Sequence, residues 1–153
     1  MSDRIVFGHD VWGRAVAQAV GHFFNPECDT IIAREVDEQP AGGVLLTNFT
    51  GESMQIHVAG FRPRWLSRDL LWVSFDYPFR QLGVERLFSQ MQETNGVARA
   101  FNLRLGFRQV ARIEGVYPGG VACIVTVMEE SWCRHLMLRP RNLVPNYSLS
   151  KRV

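Results

Sequence analysis

Residues 95–107 read NGVARAFNLRLGF, and the reading of this stretch decides the fold. Val97, Phe101 and Arg104 fall on one helical face, and Ala98, Phe101 and Leu105 overlap it, which is the spacing of an amphipathic helix. Thr94 or Asn95 supplies a polar cap at its start. Gly106 suits the left-handed turn that ends a helix, and Phe107 opens the next extended run. Upstream, Arg86 to Gln92 reads as a short strand, and downstream lie two more, Phe107 to Val116 and Val121 to Met128. By itself this is a strand–helix–strand unit of an α/β domain.

Working outward, the earlier chain supplies the rest of a sheet. Arg4–Phe7 is a short apolar strand, and Asp10 caps a helix running from Val11 to Phe24, with apolar residues at 12, 15, 16, 19, 20 and 23. Asn25-Pro26 ends it. Thr30–Val36, Gly43–Phe49 and Met54–Ala59 read as three antiparallel strands joined by turns at 37–40 and 50–53. Ser67 caps a second helix whose apolar face includes Leu70, Leu71, Phe75 and Phe79; Pro78 kinks it or ends its regular part, and Gly83 closes it. The order is strand, helix, three strands, helix, strand, helix, two strands. Antiparallel hairpins combined with strand–helix–strand crossovers mean an α/β fold with a mixed sheet.

A chain of 153 residues is one domain's worth. No apolar run is long enough to span a membrane, and the first residues lack the basic-then-apolar pattern of a signal peptide, so the reading is a cytoplasmic protein. Three cysteines without regular spacing argue against a disulfide framework, and the absence of paired Cys or His motifs argues against a structural metal. A net charge of +2 does not by itself imply nucleic acid. Trp132 to Val153 carries five basic residues and no acid, with Pro140 and Pro145 as breakers. The division expected is a domain over 1–133 and a basic tail or arm over 134–153.

Asn95, Ala98, the apolar residue at Phe101 and the pair Gly106-Phe107 resemble the C-terminal signature of the GNAT N-acetyltransferase superfamily. The resemblance is specific over Ile56 to Met128. Phe79–Val84, reading FRQLGV, is similar to a pattern found in divergent members that lack the full glycine loop, and small phage-encoded (viral) members have a similar size. The resemblance implies a mixed, mostly antiparallel central sheet splayed after its fourth strand, with helices on both faces. It also implies acetyl-CoA as cofactor and direct transfer of the acetyl group to an amine without a covalent enzyme intermediate.

The same resemblance implies site residues. Val58, Ala59 and Gly60 would pair with the pantetheine arm and hold the thioester oxygen. Arg62, Arg64, Trp65, Leu66 and Ser67 occupy the place of the phosphate-binding loop, with Trp65 where the family has its first glycine. The arginines could compensate through side-chain contacts. Asn95 matches a pantetheine contact. Phe101 faces the cofactor or the core, the core being preferred. Asn102 stands where many members carry a tyrosine that protonates the leaving thiolate, and an amide cannot do that. Tyr117, in the turn between the last two strands, or a water could take that part. His57, beside the expected thioester, is the candidate general base, with Glu52 and Glu35 behind it. His9, His22 and His135 fall in turn, helix and tail contexts without a partner motif.

Two functions follow. One is an acetyl-CoA-dependent N-acetyltransferase acting on a protein or small-molecule amine. The other is a weakly active or inactive protein on the same scaffold that binds and modulates a partner protein, with the basic tail as its arm. A homodimer is a further partner option; a membrane is not expected, and nucleic acid is disfavoured.

Overall fold

The computed structural model describes residues 2–138 and Pro140. Along them run β1 (Asp3–Phe7), α1 (Asp10–Val20), β2 (Thr30–Val36), β3 (Gln39–Thr47), β4 (Ser53–Gly60), α2 (Arg68–Asp76), a π-helical turn (Tyr77–Gln81), β5 (Arg86–Gln92), α3 (Gly96–Leu105), β6 (Arg108–Tyr117) and β7 (Val121–Glu129). This is the element order read from the sequence. The seven strands form one sheet in the order β1-β2-β3-β4-β5-β7-β6. Only β4 and β5 run parallel. A parallel neighbour needs a crossover, and α2 with its π turn supplies it.

Side chains alternate across the sheet and so divide the core in two. Val16 and Ala17 of α1 pack with Ile31, Ala33, Leu45 and Ala59 on one face. Leu70, Val73 and Phe75 of α2 pack with Ile32, Val44, Leu46, Met54 and Ile56 on the other. His57 and Ala59 therefore share the α1 face, while Ile56, Val58 and Gly60 share the α2 face.

Several boundaries differ from the sequence reading. α1 stops at Gly21, which turns left-handed (φ +72°), rather than at Asn25-Pro26, and Phe23 is left 95% exposed. Its cap is His9, whose Nδ1 accepts the Trp12 N–H at 3.2 Å, and Asp10 is the first helical residue. β3 begins at Gln39 and takes in Pro40, opposite Glu35 beside a bulge. It ends at Thr47, before the left-handed Asn48, so Phe49 lies outside. Pro78 is absorbed by widening the helix: Leu82 N–H reaches the Tyr77 carbonyl at 2.9 Å. Phe107 is buried just before β6, and Tyr117 is the last residue of that strand rather than part of the turn.

The beginning of the expected arm belongs to the body. Arg134–Met137 forms a 3-10 turn with Leu136 buried. His135 Nε2 lies 2.9 Å from the Leu105 carbonyl, and its ring stacks on Phe75 at 5.3 Å. Arg108 lies 3.7 Å over the Trp132 ring, a cation–π contact. Residues 141–153, most of the expected arm, lie outside the described residues. Among the described residues no helix is long and apolar enough to cross a membrane.

Gly42 and Gly60 face each other across β3 and β4, and the Trp65 indole lies on both. A Cβ on Gly60 would meet the indole at 2.1 Å; one on Gly42 would meet it at 2.5 Å and the Ala59 carbonyl oxygen at 2.9 Å. Gly60→Ala should therefore cost about 1–3 kcal/mol in denaturant unfolding, and most of that cost should vanish in a Trp65→Ala background. Gly42→Ala should keep much of its cost there, because the backbone oxygen remains.

Candidate functional site

β4 and β5 pair only at Ser53, Met54 and Gln55, opposite Arg86, Leu87 and Phe88. Beyond that they part. Ile56 to Gly60 keep β3 as their partner, and Ser89 to Gln92 keep β7. The gap opens into a cleft of about 770 Å³, with α3 along one wall and the end of α1 at its edge. An unpaired strand edge of this kind offers backbone N–H and C=O groups to an extended ligand.

The structure brings together part of the residue set expected from the sequence. His57, Val58, Gly60, Trp65, Asn95, Phe101, Asn102 and Tyr117 all line the cleft. Ala59, Arg62, Arg64, Leu66 and Ser67 are not among its lining residues. Ala59 alternates onto the α1 core, and Leu66 packs on the α2 core. The Ser67 hydroxyl accepts the Leu70 N–H at 3.2 Å and so caps α2. Arg64 turns left-handed (φ +58°), and Arg34 holds the loop by donating to the carbonyls of Arg64 (2.7 Å) and Trp65 (3.1 Å). Asp69 already places a carboxyl in the first turn of α2, where burial pushes it above the usual carboxylate range. Glu35 is committed to Arg4 and Trp12 away from the cleft.

Phe101 corrects its preferred reading. It is half-buried and lines the cleft, its ring 6.0 Å from that of Trp65, instead of entering the core. The two aromatics thus close the α2 side of the cleft between the β4 shelf and α3. Asn95 caps α3 by accepting the Ala98 N–H at 3.1 Å. Asn102 is the buried residue of α3, and its amide nitrogen donates to Ser89 Oγ (3.2 Å) and Met91 Sδ (3.4 Å) of β5. It fastens the helix to the strand through its amide nitrogen. Tyr117 donates to Cys123 Sγ at 3.7 Å, and burial raises its hydroxyl to about 12. It stays protonated at any working pH.

His57 Nε2 lies 3.1 Å from Thr47 Oγ1, and its ring stacks on His22 at 5.0 Å. His22 Nε2 in turn lies 3.6 Å from Asp29 Oδ2. Burial, with His22 adding, lowers His57 to about 4 against the opposing pull of Asp29. His57 is therefore neutral at pH 7. The sequence reading gave His22 no partner because it placed the residue inside a helix. The left-handed Gly21, three residues after Gln18, is the signal that α1 ends in time to turn His22 toward β4.

No family model matches the chain, and neither does any curated protein. Solved structures do. Ard1 from Thermoplasma volcanium superposes with a TM-score of 0.66 at 13% identity, over 84% of this chain and 98% of that one. A GNAT-family protein from Desulfovibrio desulfuricans gives 0.63 at 20% identity, over 82% and 99%. The chain has the GNAT fold. PseH from Campylobacter jejuni, solved with acetyl coenzyme A, gives 0.51 at 16% identity over 67% and 69%. The GNAT arrangement accounts for the cleft: it is the expected splay after the fourth strand, here beginning immediately after Gln55 and Phe88.

The neutral His57 has a measurable signature. Its folded-state pKa lies below the unfolded 6.5, so the unfolded chain takes up the proton first. Stability from this site should be full above pH 6.5 and fall by at most about 3 kcal/mol as pH drops toward 4. The difference between the wild type and His57→Gln in chemical unfolding from pH 7 to 4 should reveal it; parallel curves would contradict it.

Proposed function

We propose that the protein is an N-acyltransferase that carries an acetyl group from acetyl-CoA directly to an amine. The observation that carries this reading is the cleft between β4 and β5, which begins where the two strands stop pairing. The pantetheine arm lies along the free edge of β4, over Val58, Ala59 and Gly60, and Asn95 approaches it from α3. The thioester carbonyl oxygen meets a backbone N–H of that edge, which stabilises the negative charge that develops during attack. Holding amine and thioester in one cleft supplies much of the rate. His57 accepts a hydrogen bond from the amine on the α1 side; with a pKa of about 4 it is a weak base. Tyr117, whose phenol lines the cleft, offers the proton to the departing sulfur, since Asn102 cannot.

The diphosphate half of the donor leaves the cleft past Trp65, and Arg62 and Arg64 stand on that loop. The indole on Gly42 and Gly60 occupies this passage and must swing aside on binding. A partner-binding protein on the same scaffold is the second reading, favoured by the Trp65 plug and by the inward-turned amide of Asn102.

Calorimetric titration with acetyl-CoA followed by a free-thiol assay against mixed amines separates the two. Binding with thiol release is expected; binding without release would favour the partner-binding reading, and no binding would remove the acyltransfer reading. Trp65→Gly should tighten coenzyme A binding about tenfold, equivalent to about 1.4 kcal/mol. Unchanged or weaker binding would show that the indole is a wall of the site instead of a plug.

A further inference from the structure

The cleft is unusual in its charges. Among the described residues none that lines it is an aspartate or glutamate, and the one permanent charge is the guanidinium of Arg104, in the last turn of α3. Among the described residues the Arg104 side chain has no hydrogen-bonding or ionic partner. Three acids on or next to elements around it are already engaged. Glu93 faces Arg112 outside the cleft, Glu114 shares that arginine, and Asp29 faces His22. Residues 134–153 hold no acid at all. A cation entering this space therefore finds no counter-charge and one repulsive neighbour.

Resting on the acyltransfer reading, we infer that the acceptor is a weakly basic amine on a neutral body, one that reaches the cleft already deprotonated, and not a polyamine or a lysine side chain. The step then balances inside the site. The amine lone pair attacks the thioester carbon and a C–N bond forms. The C–S bond breaks, and the proton lost by nitrogen ends on sulfur. No net proton has to leave, so no strong base is required. An ammonium acceptor would need a group to take one further proton. The only imidazole lining the cleft among the described residues, that of His57, is poorly suited to this because it is packed against Thr47 and His22. Gln90 and Gln92, with Val20 and Tyr117, give this space neutral hydrogen-bonding groups and apolar walls. They suit an uncharged body. The Vibrio cholerae spermidine N-acetyltransferase, similar in fold at 17% identity with a TM-score of 0.57, is named for a polycationic acceptor that this cleft would repel.

The test is free-thiol release at pH 7 with saturating acetyl-CoA and four amines: p-anisidine, alanyl-phenylalanine amide, tyramine and spermidine. The first two represent an arylamine and a peptide α-amine. Each should exceed spermidine in kcat/KM by at least about tenfold, because an α-amine near pKa 8 is far less protonated than an alkyl amine near 10. Spermidine turned over as fast as both, or faster, overturns the inference. A second arm does not need turnover. Spermidine should bind the protein, with or without coenzyme A, no tighter than about 1 mM by calorimetry, and tighter binding overturns the inference. Failure of coenzyme A itself to bind would sink the acyltransfer reading, while the spermidine arm would still report on the charge of the cleft.

Discussion

The structure depends on how few hydrogen bonds join β4 to β5. Three register positions hold the two halves of the sheet together, and everything beyond them is left to diverge. The right-handed twist of neighbouring strands widens such a gap with distance from the last pair. The antiparallel half, β1 to β4, keeps a full register on its side, and β5, β7 and β6 keep theirs. The opening is thus a seam between two well-paired blocks, not a weakness within either. Burial at the closed end, with Met54 and Leu87 almost wholly enclosed, keeps the seam from running further.

The mouth of the seam is shaped by a substitution of bulk for space. Two glycines on adjacent strands make a flat shelf, and the loop before α2 lays an indole on it. Arg34 fixes that loop through two backbone carbonyls while pairing with Asp3 at 2.8 Å. The left-handed Arg64 costs about 1–2 kcal/mol in backbone energy, which these contacts offset. The first turn of α2 then carries its own cap and its own carboxyl. The charge that a diphosphate would seek there is already partly answered from within the chain.

Much of this was legible in the sequence, for local reasons. β2, β5 and α3 begin and end with residues whose chemistry sets the boundary: Asn95 as cap and Gly106 as left-handed stop are two such cases. The parting of β4 and β5 was legible only through family resemblance, because no local pattern encodes which strand pair stops bonding. Residues that depended on long-range packing were read less well. Phe101 has a helical spacing compatible with either the core or the cleft, and only the position of Trp65 decides between them. His22 looked helical because Val20 and Phe23 continue the apolar stripe past a glycine that in fact ends it. The role of Asn102 as a fastener to Ser89 and Met91 follows from tertiary contact alone.

The last described turn, Arg134–Met137, has a mechanical meaning. His135 holds the final carbonyl-bearing turn of α3 through Leu105, and it rests on Phe75 of α2. The helix it grips carries Phe101 and Arg104 into the cleft. Through this clasp the pose of α3, and with it the placement of Phe101 and Arg104, is tied to α2 on the far side of the core.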